Sequence, residues 1–135
     1  MNTSLWVLAL AVAGHVAIGM AWYSPKLFGL QWAELMGWTP GEWEKRKKNM
    51  TKVYIWSMLM AVIMAYILAS FITLVRMTAV DEAAQLGFWL WFGFVMPTSF
   101  INVLFAGTSK KLWAINVGYH LASLVTMSVI IVLLK

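Results

Sequence analysis

Four apolar stretches, residues 5–23, 53–75, 84–106 and 112–134, decide what this chain can fold into. A hydrocarbon layer about 30 Å thick is crossed by about 20 helical residues at about 1.5 Å each, and every stretch has that length. Helices satisfy their backbone N–H and C=O groups internally, which lipid demands. The other residues could not solubilise these stretches, because 62% of the 135 residues are hydrophobic and 11% charged. Average globular chains have roughly 45–50% and about 25%. The expected fold is an all-α integral membrane protein with four transmembrane helices. The first stretch could also serve as a signal peptide, with Ala11-Val12-Ala13 as its cleavage site. It lacks Lys or Arg before it and stays apolar to Tyr23, so it is expected to remain uncleaved.

The connectors carry their own signals. Ser24-Pro25 is expected to cap a short helix over residues 26–36, with Leu27, Phe28, Trp32, Leu35 and Met36 on one side and Gly37 as its stop. Such a helix would lie in the membrane interface. Thr39-Pro40-Gly41-Glu42 is a capping box, and with no breaker over residues 43–52 the second transmembrane helix is expected to start there and run unbroken into lipid.

Basic residues set the expected orientation. Lys26, Lys45, Arg46, Lys47, Lys48, Lys52, Lys110 and Lys111 occupy the first and third connectors, against Arg76 and Lys135 on the other side. Short cytoplasmic loops collect Lys and Arg, so both termini are expected outside and these two connectors in the cytoplasm. The net charge of +5 is thereby explained by topology, and nucleic acid is not an expected partner. Lys45, Arg46, Lys47 and Lys48 are also candidates for binding anionic lipid headgroups or an acidic partner. Trp22, Trp32, Trp38, Trp43, Trp56 and Trp113 are expected near the basic interface and Trp6 near the other, as anchors.

Small residues recur every fourth position on three spans: Ala13, Ala17 and Ala21; Ser57, Ala61, Ala65 and Ala69; Ala114, Gly118, Ala122 and Thr126. These are packing seams, either within one bundle or between copies.

A second pattern is polar. Trp113, Asn116, His120, Ser123 and Met127 share one face of the fourth helix; Trp91, Val95, Thr98 and Asn102 share one on the third; Ala11, His15, Gly19 and Trp22 share one on the first. His15 lies eight residues before Tyr23 and His120 eight after Leu112, so both sit roughly 12 Å from the same boundary. Asn102 and Asn116 are each four residues, or roughly 6 Å, from it. The candidate site is a tapered polar pocket of His15, Tyr23, Thr98, Asn102, Asn116 and His120, with the two histidines facing each other directly or through one water. Three readings of the histidines stay open: structural hydrogen bonds, a solute or proton site, and a metal or haem site. No other feature asks for a cofactor, and neither cofactor nor metal is expected. Pro97 is expected to kink the third helix and free the Gly93 carbonyl, with Thr98 or Ser99 as local replacement donors.

The segments Trp22-Tyr23-Ser24-Pro25-Lys26-Leu27-Phe28-Gly29, with Trp32, Gly93-Phe94 through Pro97, Leu104-Phe105 and Trp113-Ala114-Ile115-Asn116-Val117-Gly118-Tyr119-His120 resemble the family known as domain of unknown function 1761, small bacterial four-helix membrane proteins. The resemblance spans nearly the whole chain. It implies an uncleaved multi-pass protein of the bacterial inner membrane and carries over no catalytic residue. Physically, Pro25 disfavours helical geometry at Ser24 and ends the first helix there, making the segment an elbow or placing Tyr23 as a gate at the pocket mouth.

Zero cysteines exclude disulfide scaffolds, iron–sulfur clusters and cysteine nucleophiles. Glu34, Glu42, Glu44, Asp81 and Glu82 all lie in connectors or at helix starts, so no carboxylate accompanies the intramembrane histidines, and no catalytic triad, carboxylate dyad or carboxylate-based antiport site can form there. The chain is not expected to be an enzyme. The expected function is a transport-like or ligand-binding module, homo-oligomeric because one four-helix bundle encloses little space; the alternative is a non-catalytic accessory protein binding lipid or another membrane protein.

Overall fold

The structure is a computed structural model that describes residues 3–135. In chain order it consists of α1 (Leu5–Trp22), α2 (Gly29–Leu35), α3 (Pro40–Lys47), α4 (Thr51–Val75), α5 (Val80–Leu90), a π-helical turn (Trp91–Val95), α6 (Met96–Ala106) and α7 (Lys110–Leu134). No strand occurs among the described residues. Four segments are long and apolar enough to cross a bilayer: α1, α4, the α5–π–α6 unit and α7. They agree with the hydropathy boundaries to within a few residues. The differences lie at the ends, where capping rather than apolarity sets the limit: Ser109 Oγ accepts from Leu112 N at 3.2 Å, so α7 begins two residues before the apolar run.

Helix α7 is the central element, packing against both α1 and α5, while α4 joins α1 and α7. The buried core cluster combines Val7, Leu8, Ala11 and Val12 of α1, Ala61, Ala65, Leu68, Ala69 and Ile72 of α4, Ala83 of α5, and Leu124, Met127, Ile131 and Val132 of α7. All of these lie toward the end of the bundle that carries residues 76–79 and the C-terminus, where the Lys135 ammonium donates to the Met77 carbonyl. At the opposite, basic end Ile115 and Val117 of α7 are buried, but α4 and α6 contribute nothing to the core. All ten residues 51–60 of α4 are exposed, and α6 contains no buried residue. Toward the basic end α1 and α7 thus stay packed together while the start of α4 is exposed.

Small residues explain the close helix contacts. In lipid, helices associate through close backbone approach, and Ala61, Ala65 and Ala69 are buried as a seam. Gly87 brings α5 against α7 so closely that a Cβ there would lie 2.8 Å from Val125 Cα and 2.9 Å from the Leu124 oxygen. The Ala13, Ala17 and Ala21 stripe, by contrast, is exposed along α1. On α7 the seam is mixed: Gly118 faces the Trp22 ring and Thr126 faces Gly14, whereas Ala114 is exposed.

Three expectations for the connectors and the third span need correction. Residues 24–28 form turns, so the helix after the first span is α2 alone, shorter than residues 26–36. Ser24 closes α1 instead of opening α2, donating from both N (3.3 Å) and Oγ (2.7 Å) to the Ala21 carbonyl. Gly37 ends this region at φ 72° as expected. The Thr39–Glu42 capping box forms, but its helix stops at Lys47 and α4 restarts at Thr51, so the second span does not run unbroken from Pro40. Lys48 and Lys52 would stand one turn apart on an unbroken helix, where like charges repel, and the break falls between them. Finally, the discontinuity at Pro97 takes the form of the π turn, in which the Met96 N–H reaches the Trp91 carbonyl five residues back. Ser99 Oγ donates to Met96 O at 3.0 Å, not to Gly93.

Candidate functional site

The elbow after α1 and the first half of α7 build the site together. Gly29 allows the chain to fold back, because a Cβ there would lie 2.3 Å from the Tyr23 oxygen. Phe28 then lies against Trp22 with ring centroids 4.8 Å apart, and the Trp22 indole donates to the Ile115 carbonyl at 2.9 Å. Trp91 donates to the Val117 carbonyl at 2.8 Å, and Trp113 to Ser99 Oγ at 2.9 Å. A helical carbonyl has a second lone pair beyond its ladder bond, and two indoles use it to fasten α1 and the π turn to α7. Trp22 and Trp113 are therefore interhelical ties as well as residues near the basic end.

Tyr23 donates to Asn116 Oδ1 at 2.7 Å, uniting two of the expected site residues. His15 meets α7 one to two turns further along: Nδ1 pairs with Ser123 Oγ, Nε2 lies 3.0 Å from the Tyr119 hydroxyl, and Ser123 Oγ in turn donates to Met127 Sδ at 3.7 Å. One tautomer satisfies every donor in this series. Neutral His15 carrying its proton on Nδ1 donates to Ser123, leaves Nε2 bare, and accepts the Tyr119 O–H. The Tyr119 ring also touches Tyr23 edge-on at 5.3 Å.

No hydrogen bond joins the two histidines directly among the described residues. Tyr119 contacts both, with centroids 5.4 Å from His15 and 5.2 Å from His120, and it takes the hydrogen bond that the sequence reading assigned to the second imidazole. Sequence spacing missed Tyr119 because it falls one residue off the polar stripe. A signal was available in Gly19, one turn after His15, where a Cβ would sit 3.2 Å from the Tyr119 oxygen. Thr98 and Asn102 are exposed on α6 and make no side-chain hydrogen bond among the described residues, so the structure does not bring them into the cluster.

What remains unpaired defines the site's chemistry. His120 makes no hydrogen bond among the described residues, and Asn116 uses only its carbonyl oxygen. No buried side-chain nitrogen or oxygen lacks a partner among those residues, so the free nitrogens of His120 and Asn116 retain accessible surface. They sit one helical turn apart on α7. No group of three or more His, Asp or Glu side chains converges among the described residues.

The family model described as Protein of unknown function (DUF1761) matches residues 6–132. The chain belongs to this family. In this DUF1761 member the elbow, Asn116, Tyr119 and His120 all lie within the matched region, as do the four apolar helices. No curated protein and no solved structure matches the chain.

Proposed function

We propose that this DUF1761 protein is a non-catalytic, homo-oligomeric transport-like or ligand-binding module of the bacterial inner membrane, with both termini outside and the two basic connectors in the cytoplasm. The observation that carries this reading is the pair of accessible, unpaired groups on α7, His120 and Asn116, beside a His15–Tyr119–Ser123 series whose own hydrogen bonds are complete. An imidazole and an amide nitrogen left free at membrane depth cost energy unless something pairs with them. The exposure of residues 51–60 of α4 at the basic end supports entry from that side. No Asp, Glu, Lys or Arg belongs to the cluster, which favours a small neutral solute with hydrogen-bonding groups over an ion. The exposed Ala13, Ala17 and Ala21 stripe suits contact between copies, which would also enclose the groups on α6 that find no partner.

Stopped-flow light scattering on proteoliposomes, with glycerol and urea as probes, tests the reading. Permeation should exceed that of protein-free liposomes and fall to their rate in Asn116→Leu and His120→Leu. Equal rates for wild type and protein-free liposomes with both probes would overturn it.

A further inference from the structure

A cavity of about 510 Å³ lies where α3 meets the start of α4. Its polar wall is Lys45, Arg46 and Asn49, and its apolar floor is Met50 and Val53, with Trp38 beside them. We propose that this cavity binds the headgroup of an anionic glycerophospholipid, the phosphate against Lys45 and Arg46 and the acyl chains along α4.

The cationic side is prepared for an anion. The Arg46 guanidinium lies 4.5 Å from the centre of the Trp38 ring, which orients the fork without neutralising its charge. Trp38 is itself held edge-on by Trp32 at 4.9 Å and Trp43 at 6.0 Å, and Trp32 meets Trp43 at 6.0 Å. This three-indole platform stands beneath the arginine. Glu42 also lines the cavity, but its carboxylate accepts from Thr39 N at 3.3 Å in the capping box, and no ion pair with Lys45 or Arg46 forms among the described residues. The guanidinium keeps its bidentate donors for a phosphate.

The apolar side selects a lipid over a free phosphate. Met50 and Val53 lead directly into a helix whose residues 51–60 are all exposed, including Ile55 at 63% and Leu59 at 46%. A soluble phosphate would use none of this surface, whereas a phospholipid joins a charged headgroup to chains that follow it. Residues on both sides of the helix break at 48–50, Arg46 and Val53, line the one cavity. Indoles and basic residues together mark the headgroup level of a membrane.

The experiment is native mass spectrometry of the full-length protein in detergent, titrated with dioleoylphosphatidylglycerol or dioleoylphosphatidylcholine. The anionic lipid should bind about tenfold more tightly than the zwitterionic one. Arg46→Gln should remove that preference, and Trp38→Ala should weaken it about threefold. Lys47→Gln, which deletes the same charge from the same helix outside the cavity, should leave it unchanged. Glycerol 3-phosphate at millimolar concentration should not displace the lipid. Equal losses in Arg46→Gln and Lys47→Gln would mean diffuse surface attraction and overturn the site. Displacement by glycerol 3-phosphate would assign the cavity to a soluble phosphate ester instead. If Arg46→Gln fails to fold, Arg46→Lys provides the same decision, since it keeps the charge but loses the planar fork and should lower the preference.

Discussion

The hydroxyl of Tyr23 and the side-chain oxygen of Asn116 stand 2.7 Å apart, joining the last residue before the elbow to the second turn of α7. This bond closes one edge of the cluster and leaves the Asn116 nitrogen free. Tyr23→Phe should therefore lower stability by about 1 kcal/mol, the net worth of a hydrogen bond, or somewhat less in a membrane. A double-mutant cycle with Asn116→Ala, read by reversible unfolding in mixed micelles, should return a coupling of about 0.5–1 kcal/mol. Additive losses would show that the two side chains do not interact.

His15 is expected to be the Nδ1–H tautomer, because Nδ1–H donates to Ser123 Oγ while Nε2 accepts a hydrogen bond from the Tyr119 hydroxyl. Solid-state nitrogen NMR of ring-labelled protein should show a protonated Nδ1 and a bare, hydrogen-bonded Nε2. Tyr119→Phe should shift the Nε2 resonance and leave Nδ1 protonated. The opposite tautomer in the wild type would contradict the series.

Replacing His15 by Gln should preserve folding, since an amide can accept from Tyr119 and donate to Ser123. Any pH dependence of solute permeation between about pH 5 and 8 that arises at His15 should vanish, because Gln does not titrate there. An unchanged pH profile would remove His15 from that role.

Two glycines should respond in opposite ways. A Cβ at Gly87 meets the backbone of α7 at 2.8 Å, whereas one at Gly93 meets nothing within 4 Å. Gly87→Ala should destabilise by about 2 kcal/mol or more, because backbone cannot rotate away as a side chain can. Gly93→Ala should be neutral or mildly stabilising, up to about 1 kcal/mol by the helix preference of alanine. Thermal unfolding in detergent compares them directly.

The proposed orientation is open to labelling, since the chain has no native cysteine. Single cysteines at Thr3 and Thr78 should react with an impermeant maleimide in intact spheroplasts, while those at Asn49 and Ser109 should react only after lysis. Labelling of Asn49 from outside would reverse the orientation.

Apolar length and helix caps made the architecture legible from sequence. Runs of about 20 apolar residues specify spanning helices regardless of their partners, Gly37 and the Thr39 box act through local backbone geometry, and the elbow motif carried the family. His15, Asn116 and Tyr23 were legible as site residues because polar groups within apolar spans must find partners. Which partners they find was not legible. Spacing places residues on a face but does not fix the rotation of one helix about its axis relative to another, and that rotation put Tyr119 rather than His120 against His15. The same freedom turned Thr98 and Asn102 outward and exposed the α1 alanines while burying those of α4. The break between α3 and α4 carries no Gly or Pro. Tertiary structure alone decided the placing of Arg46 over Trp38, because it depends on how three indoles from separate segments pack against one another.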